Sequence, residues 1–276
     1  MSSVVLVSLA SMAGVGILLG VVIAMAHRKF AVKSDPRIDE VEGVLPGVNC
    51  GACGYPGCRA MAEAIAKGEA PVDGCPVGGA AVAALVAKIM GVELKGGSRR
   101  LVALVRCGGG RAEARETAEY VGLDDCRAAQ LLGGNKGCQY GCLGLASCVK
   151  ACPFNAMFMN DNGLPVVDKE ACTACGLCVK ACPRNLIALV PDDMYVHVLC
   201  RSYDTGRVVR SNCQVGCIGC KACERVCEDD AIHVTDLLAE IDYDKCTNCG
   251  KCAEVCPTKA IVIEEGRFLV TKKAAS

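Results

Sequence analysis

The chain begins with one long apolar segment, and beyond it apolar positions occur in shorter runs between polar and glycine-rich stretches. Residues 4–26 carry no charge, and a helix of that length rises about 35 Å, enough to cross a hydrocarbon core of roughly 30 Å. A cleavable signal peptide is the alternative, but its basic residues would precede the apolar region. Here they follow, at His27, Arg28, Lys29 and Lys33. The positive-inside rule therefore predicts a single-pass anchor at residues 1–29 in the cytoplasmic membrane, with the rest of the chain in the cytoplasm.

Three helices are expected beyond the anchor. Residues 59–67 are predicted to form a helix that ends at Gly68, because glycine commonly ends helices. Residues 77–90 are apolar and rich in alanine, but this run is too short to cross a bilayer, so a packed helix is expected. A third helix is expected at residues 112–120. The sequence Gly-Gly-Ser at residues 96–98 indicates a linker and a domain boundary near residue 97.

Short apolar runs that follow cysteine-rich segments predict β-strands. Two further strands are expected at residues 101–105 and 195–199. The four runs that follow cysteines lie at residues 156–159, 186–189, 231–234 and 260–263.

The chain has 24 cysteines in 276 residues, and many of them are regularly spaced. Two runs near the carboxyl end have the spacing C-x2-C-x2-C-x3-C, which is typical of proteins that hold two [4Fe-4S] clusters. In that arrangement, three thiolates of one run and the last thiolate of the other hold each cluster. Zinc is the alternative, but structural zinc sites use two cysteine pairs separated by a finger. The expected sets are Cys217, Cys220, Cys223 and Cys256 (cluster 4) and Cys246, Cys249, Cys252 and Cys227 (cluster 5).

The same pattern occurs once more upstream, displaced by 75 positions. The segment C-Q-Y-G-C at residues 138–142 corresponds to C-Q-V-G-C at residues 213–217, but Leu145 stands at the position of Cys220. We expect Cys138 to replace the missing ligand. The resulting sets are Cys138, Cys142, Cys148 and Cys182 (cluster 2) and Cys172, Cys175, Cys178 and Cys152 (cluster 3).

A different cysteine pattern lies nearer the amino terminus, in the segment LPGVNCGACGYPGC at residues 45–58. Its glycines allow backbone amides to come close to a bound cluster. A disulfide network is the alternative, but thiols in the cytoplasm stay reduced. The expected set is Cys50, Cys53, Cys58 and Cys75 (cluster 1).

Four cysteines remain once five clusters are assigned. They are either free buried thiols or the ligands of a sixth cluster. These residues are Cys107, Cys126, Cys200 and Cys213.

The sequence disfavours several other functions. Three glycines follow Cys107, but Glu113 stands at the sixth position of the dinucleotide fingerprint, where it would repel a phosphate. The formal net charge is zero and there is no long basic run, so nucleic acid is not an expected partner. No nucleophile stands with a convincing base and orienting group, so no catalytic residue is predicted. The predicted metal is iron, bound through the cysteines.

These observations predict an α+β fold in four parts. A transmembrane anchor at residues 1–29 is followed by a small helical iron–sulfur domain at residues 30–97. Duplicated two-cluster ferredoxin-like modules then follow at residues 98–192 and 193–276. Aromatic residues make up 4% of the chain and tryptophan is absent, so clusters are expected to contribute much of the folding free energy.

The anchor, the segment at residues 45–58 and the ferredoxin repeats together resemble the B subunit of the Rnf complex over nearly the whole chain. That family belongs to an ion-translocating ferredoxin:NAD oxidoreductase of bacterial membranes. The resemblance implies a protein that accepts electrons from soluble ferredoxin and passes them to other membrane subunits, which include those with NAD and flavin. The second cluster pair resembles the longer form of the family.

Two alternatives remain open from the sequence. The chain could be a polyferredoxin subunit of another membrane reductase or hydrogenase. It could also be a redox-control module that reduces a regulatory protein.

Overall fold

The computed structural model describes residues 2–30, 35–94, 99–264 and 268–269. It begins with α1 (Ser2–Phe30). Within α1, Leu6–Ala26 is long and apolar enough to cross a membrane, with a mean hydropathy of 2.4 and no burial by the rest of the chain. This finding agrees with the predicted anchor. Lys33 and the linker at residues 96–98 lie outside the described residues.

A small helical domain follows the anchor. Asp35 caps its first helix by accepting a hydrogen bond from the Arg37 amide at 3.0 Å, and Pro36 occupies the first turn. Gly68 ends the second helix in the left-handed conformation, with φ of 77°. The helices are α2 (Pro36–Val44), α3 (Cys58–Lys67) and α4 (Gly79–Met90). The predicted helices at 59–67 and 77–90 are confirmed, and Val86 of α4 is fully buried in the domain core.

The first ferredoxin-like module is an outer antiparallel strand pair around an inner hairpin. The outer strands are β1 (Leu101–Val105) and β4 (Ile187–Pro191), and the inner ones are β2 (Met157–Met159) and β3 (Pro165–Asp168). Its short helices are α5 (Cys126–Leu131), α6 (Ser147–Lys150) and α7 (Leu177–Ala181). The strands predicted at 101–105, 156–159 and 186–189 are therefore present.

The second module repeats this plan. Its outer strands are β5 (Val196–Val198) and β8 (Ile261–Ile263), and its inner hairpin joins β6 (Ile232–Thr235) to β7 (Leu238–Ile241). Its helices are α8 (Gly206–Asn212), α9 (Ala222–Val226) and α10 (Lys251–Glu254). The repeated arrangement of outer pair and hairpin agrees with the duplication expected from the sequence.

The two modules are joined by strand pairing and by a buried ion pair. The last described strand, β9 (Phe268–Leu269), pairs with β3 of the first module. Lys169, which follows β3, places its Nζ 2.6 Å from Oε2 of Glu264, which follows β8. The Glu264 side chain is 3% exposed. His197 is fully buried nearby, and its Nδ1 lies 2.9 Å from the Tyr243 hydroxyl.

The helix predicted at residues 112–120 is wrong. The backbone there pairs with other segments: the Arg115 amide donates to the Asn212 carbonyl and the Thr117 amide to the Asn135 carbonyl, each at 2.8 Å. These donors are therefore not available for helical hydrogen bonds. Glu113 accepts a hydrogen bond from the Gly110 amide at 3.0 Å. The Gly110 amide of the glycine loop is thus bonded to a carboxylate of its own chain.

Candidate functional site

The 24 cysteines are all free thiols, and most are buried or half-buried. Burial raises the pKa of the Cys148 and Cys178 thiols to about 12, because an isolated thiolate loses its hydration there. Neighbouring cysteines contribute to the same raised pKa values. A bound cationic centre would reverse this cost, since metal ligands must be deprotonated.

Three cysteines of the helical domain lie together. The pKa of the Cys75 thiol is raised mainly by burial and further by Cys53 and Cys58. All three pack against the domain core. Asn49, at φ of 51°, accepts a hydrogen bond from the Cys58 amide at 2.8 Å and so holds the loop against the start of α3. Cys50 lies on this same loop, and its thiol contributes to the raised pKa of a cysteine in the first module, Cys175.

The second module brings together both cysteine sets expected from the spacing. Burial raises the pKa of Cys223 to about 11, with further contributions from Cys217, Cys220 and Cys256. Cys256 therefore comes from the other run, as expected. One pocket has about 350 Å³ of space between atoms, part of it open to solvent, and is lined by Cys227, Cys246, Cys249 and Cys252.

The set expected for cluster 3 is also brought together in the first module. The pKa of Cys178, raised first by burial, is raised further by Cys172, Cys175 and Cys152. Cys152 belongs to the preceding run. The crossed arrangement of the second module is therefore repeated here.

The set expected for cluster 2 is not brought together, and Cys138 is the residue that differs. The Cys148 thiol is instead close to Cys126, and the two share a pocket of about 360 Å³ with Cys142 and Cys182. Cys126 is the first residue of α5, and its amide donates to Ser147 Oγ at 2.8 Å. Because Ser147 begins α6, which carries Cys148, this hydrogen bond fixes α5 beside the pocket.

Cys138 lines a different cavity, between the two modules. The other thiols of that cavity are Cys107, Cys200 and Cys213. The group of four left over by the sequence is therefore divided by the structure, with Cys126 in one pocket and the remaining three in another.

The sequence around Cys126 carries signals for the helix α5, although not for the cluster that Cys126 joins. Asp125 caps α5 by accepting hydrogen bonds from the amides of Arg127 at 2.6 Å and Ala128 at 3.1 Å. Gly133 and Gly134 follow the end of α5. An aspartate before a short helical run and glycines after it predict a helix that would carry Cys126 as its first residue.

Arg184 is a half-buried cation that the sequence did not single out. Its Nη1 donates to the carbonyls of Gly141 at 2.6 Å and Cys138 at 3.2 Å, and its Nε donates to Gln130 Oε1 at 2.6 Å. Partial burial lowers the pKa of Arg184, while Cys138 and Cys142 favour the charged form. A second cation, Lys136, is buried and donates to the Gly109 carbonyl at 2.7 Å.

In the part of the chain that the structure describes, no three His, Cys, Asp or Glu side chains converge tightly enough to hold a single metal ion. The cysteine sets line wider gaps. The arrangement therefore consists of separate four-thiol pockets, several of which are direct neighbours.

Known families match three segments of this chain. Residues 45–77 match a family described as "Putative Fe-S cluster", residues 165–188 match the 4Fe-4S binding domain, and residues 216–260 match the 4Fe-4S dicluster domain.

Full-length relatives extend this result. The chain is 50% identical to the B subunit of the ion-translocating oxidoreductase complex of Methanosarcina acetivorans, over 95% of this chain and 99% of that protein. It is 46% identical to the B subunit of the Na(+)-translocating ferredoxin:NAD(+) oxidoreductase complex of Acetobacterium woodii, over 95% of this chain and 78% of that one. It is 45% identical to the B subunit of the proton-translocating complex of Clostridium ljungdahlii, over 95% and 93%. The chain therefore belongs to the family of B subunits of ion-translocating oxidoreductase complexes.

Proposed function

We propose that this chain accepts electrons from reduced soluble ferredoxin and passes them through protein-bound [4Fe-4S] clusters into an ion-translocating ferredoxin:NAD oxidoreductase complex. The observation that carries this proposal is the set of neighbouring four-thiol pockets that runs through both modules. The names of the relatives support the substrate and the coupling to ion transport. NAD and flavin would be bound by other subunits, which are the chain's membrane partners.

We assign five clusters by the thiols that lie together. Cluster 2 differs from the spacing-based expectation only in the exchange of Cys138 for Cys126. The proposed sets are Cys50, Cys53, Cys58 and Cys75 (cluster 1); Cys126, Cys142, Cys148 and Cys182 (cluster 2); Cys152, Cys172, Cys175 and Cys178 (cluster 3); Cys217, Cys220, Cys223 and Cys256 (cluster 4); and Cys227, Cys246, Cys249 and Cys252 (cluster 5).

The donor chemistry of these pockets suits the cofactor. Each set has four thiols, and thiolates are the ligands of [4Fe-4S] clusters. Gaps too wide for one ion suit a four-iron cube better than tetrahedral zinc. When bound, each cluster supplies one-electron transfer, while the chain holds it, shields it from water and sets its potential.

Exposure of the cluster thiols favours the second module as the place where electrons arrive. Cys220 and Cys249 are exposed, whereas the thiols of the first module are buried or half-buried. A soluble donor can approach an exposed ligand closely without a change in fold. We therefore place the ferredoxin contact at the loops that carry these two cysteines.

We also propose the orientation and division of the chain. The anchor at residues 1–29 would cross the cytoplasmic membrane once, with the helical domain (30–97) and the two modules (98–192 and 193–276) in the cytoplasm. The basic residues Arg28 and Lys29 near the end of α1 support this orientation. No nucleic-acid partner is proposed.

The full-length chain, purified anaerobically in detergent, would test the function. Mixed with reduced ferredoxin, it should bleach in the visible region as its clusters accept electrons. A chain that holds iron and sulfide but stays oxidised would contradict the assigned donor.

A second experiment separates this function from the alternatives. Membrane vesicles that lack only this chain should lose ferredoxin-driven NAD reduction. Full retention of that reduction would instead support a redox-control module or a component of another reductase.

A further inference from the structure

A cavity at the junction of the two modules is lined by four thiols that none of the five clusters uses. They are Cys107, Cys138, Cys200 and Cys213. Each module contributes two of them: Cys107 follows β1 and Cys200 follows β5, while Cys138 and Cys213 are equivalent residues of the 75-residue repeat. The set therefore takes one cysteine beyond an outer strand and one repeat-equivalent cysteine from each module.

The cavity is comparable in size to the pockets assigned to clusters. It has about 460 Å³ of space between atoms, against about 350 Å³ for cluster 5 and about 360 Å³ for cluster 2, all three including space open to solvent. The pocket of cluster 5, whose cysteines belong to runs with the C-x2-C-x2-C-x3-C spacing, is therefore no larger than the junction cavity. By this comparison, the junction cavity has at least as much space as the pockets assigned to clusters 2 and 5.

The surroundings of these thiols also suit a cluster. Backbone amides reach two of the sulfurs: Cys142 donates to Cys107 Sγ at 3.3 Å, and Ser202 donates to Cys200 Sγ at 3.5 Å. Hydrogen bonds of this kind stabilise cluster sulfurs and tune their potential.

The junction cavity lies directly between two assigned clusters. The amide that reaches Cys107 belongs to Cys142 of cluster 2. On the other side, the backbone of Cys217 in cluster 4 makes a hydrogen bond with the Cys200 thiol. The contacts therefore run from cluster 2 through the junction to cluster 4.

We propose that Cys107, Cys138, Cys200 and Cys213 hold a sixth [4Fe-4S] cluster, the junction cluster, and that electrons cross between the two modules through it. This inference rests on the proposed electron-transfer function. Each crossing oxidises cluster 4 by one electron, reduces the junction cluster by one, and then passes the same electron to cluster 2. No bond is broken and no proton is transferred.

The path extends within the first module, where clusters 2 and 3 share one core. Cys148 of cluster 2 and Cys178 of cluster 3 are both buried in that core, and Cys182 and Cys152 pack against it. The resulting order is cluster 5, cluster 4, junction cluster, cluster 2 and cluster 3.

Native mass spectrometry of the anaerobically purified full-length chain tests the site without any substitution. The mass should correspond to six [4Fe-4S] clusters, or about 24 irons. A chain with five clusters, about 20 irons, that is still reduced by ferredoxin would overturn the junction cluster but leave the proposed function intact. A chain without clusters would overturn both.

The double variant C107S/C200S tests the same site through its ligands. It should lose about four irons relative to the unchanged chain, and the matched control Ser211→Ala should lose none. Ser211 is exposed on α8, two residues before Cys213, and does not line the cavity. A variant with unchanged iron content would contradict the assignment.

The kinetics of cluster reduction test the path. With reduced ferredoxin in excess, the unchanged chain and S211A should bleach in one phase. C107S/C200S should bleach in two, with the clusters beyond the junction at least about tenfold slower. Equal rates would show that electrons bypass the junction.

Discussion

The two ferredoxin-like modules share a strand arrangement and cysteines related by an offset of 75 residues, but the clusters proposed at equivalent positions take their ligands differently. In the second module Cys220 lies within the loop and is exposed. In the first, Leu145 takes that position and packs with Leu143 against Cys126, which is buried and comes from a separate helix. In the proposed assignment, the ligand missing from the motif comes from a separate helix, and that cysteine is buried.

This difference suggests distinct roles for the modules. The exposed thiols of the second module suit exchange with a soluble partner. The buried set of the first suits transfer within the protein. The chain's family is one of electron-transfer proteins associated with a membrane complex. In the proposed division, electrons enter at the second module and pass to the first.

The largest expected effect comes from removal of the substituted ligand. Cys126→Ser should abolish cluster 2 and reduce the iron content by about four per chain. Adding Leu145→Cys should restore that iron, because it recreates the ligand position of the second module. The same Leu145→Cys change should not restore the iron lost from Cys138→Ser. Rescue of Cys138→Ser in place of Cys126→Ser would show that the spacing-based set is the correct one.

The ion pair between the modules should have the next largest effect. Glu264→Gln should destabilise the chain by about 3 kcal/mol, because it leaves the charge of Lys169 largely buried without its partner. The surface pair of Arg201 and Glu240, at 3.1 Å, provides the control: Glu240→Gln should cost less than about 1 kcal/mol. Anaerobic thermal unfolding followed by circular dichroism measures both. Equal losses would mean that the buried pair does not hold the modules together.

The half-buried cation Arg184 of the first module should shift cluster potentials more than an exposed cation of the second module. Arg184→Gln should lower the midpoint potentials of cluster 2 and the junction cluster by roughly 50 mV, because a nearby positive charge favours the reduced form. Arg225 donates to the Cys220 carbonyl at 3.3 Å but is exposed, so solvent and salt screen it. Redox titration monitored by electron paramagnetic resonance should find a smaller shift for Arg225→Gln. A larger shift there would contradict the role assigned to burial.

The smallest effect concerns backbone conformation just before the cluster helices. Ala146 precedes α6 at φ of 58°, and Gly176 precedes α7 at φ of 75°. Ala146→Gly should stabilise the chain by up to about 1 kcal/mol, and Gly176→Ala should destabilise it by a similar amount. Thermal unfolding should resolve opposite signs. Shifts in the same direction would indicate that packing dominates at these positions.

Much of this architecture follows from local patterns in the sequence. The strands and the crossed cysteine sets of clusters 3 to 5 depend on spacing within short segments, which the sequence displays directly. The prediction of a helix at residues 112–120 failed because amides of this segment donate instead to the carbonyls of Asn135 and Asn212, which lie outside it. Local sequence patterns do not predict such tertiary hydrogen bonds.

The exchange of Cys126 and Cys138 could not be predicted for a related reason. Alignment of the repeats makes Cys138 the nearest spare thiol along the chain. The packing of α5 against α6 through Ser147 places Cys126 beside the other thiols of cluster 2. Residues of the second module complete the junction cavity that Cys138 lines. Both are tertiary contacts between segments that lie far apart in sequence.

The number of electrons that the chain accepts tests its proposed role most directly. The anaerobic full-length chain would be titrated with reduced ferredoxin to equilibrium, with the transferred electrons counted per chain. We expect uptake of about six, one for each cluster. Uptake of less than one electron per chain, or purification of the chain with zinc in place of iron, would contradict electron transfer through protein-bound clusters.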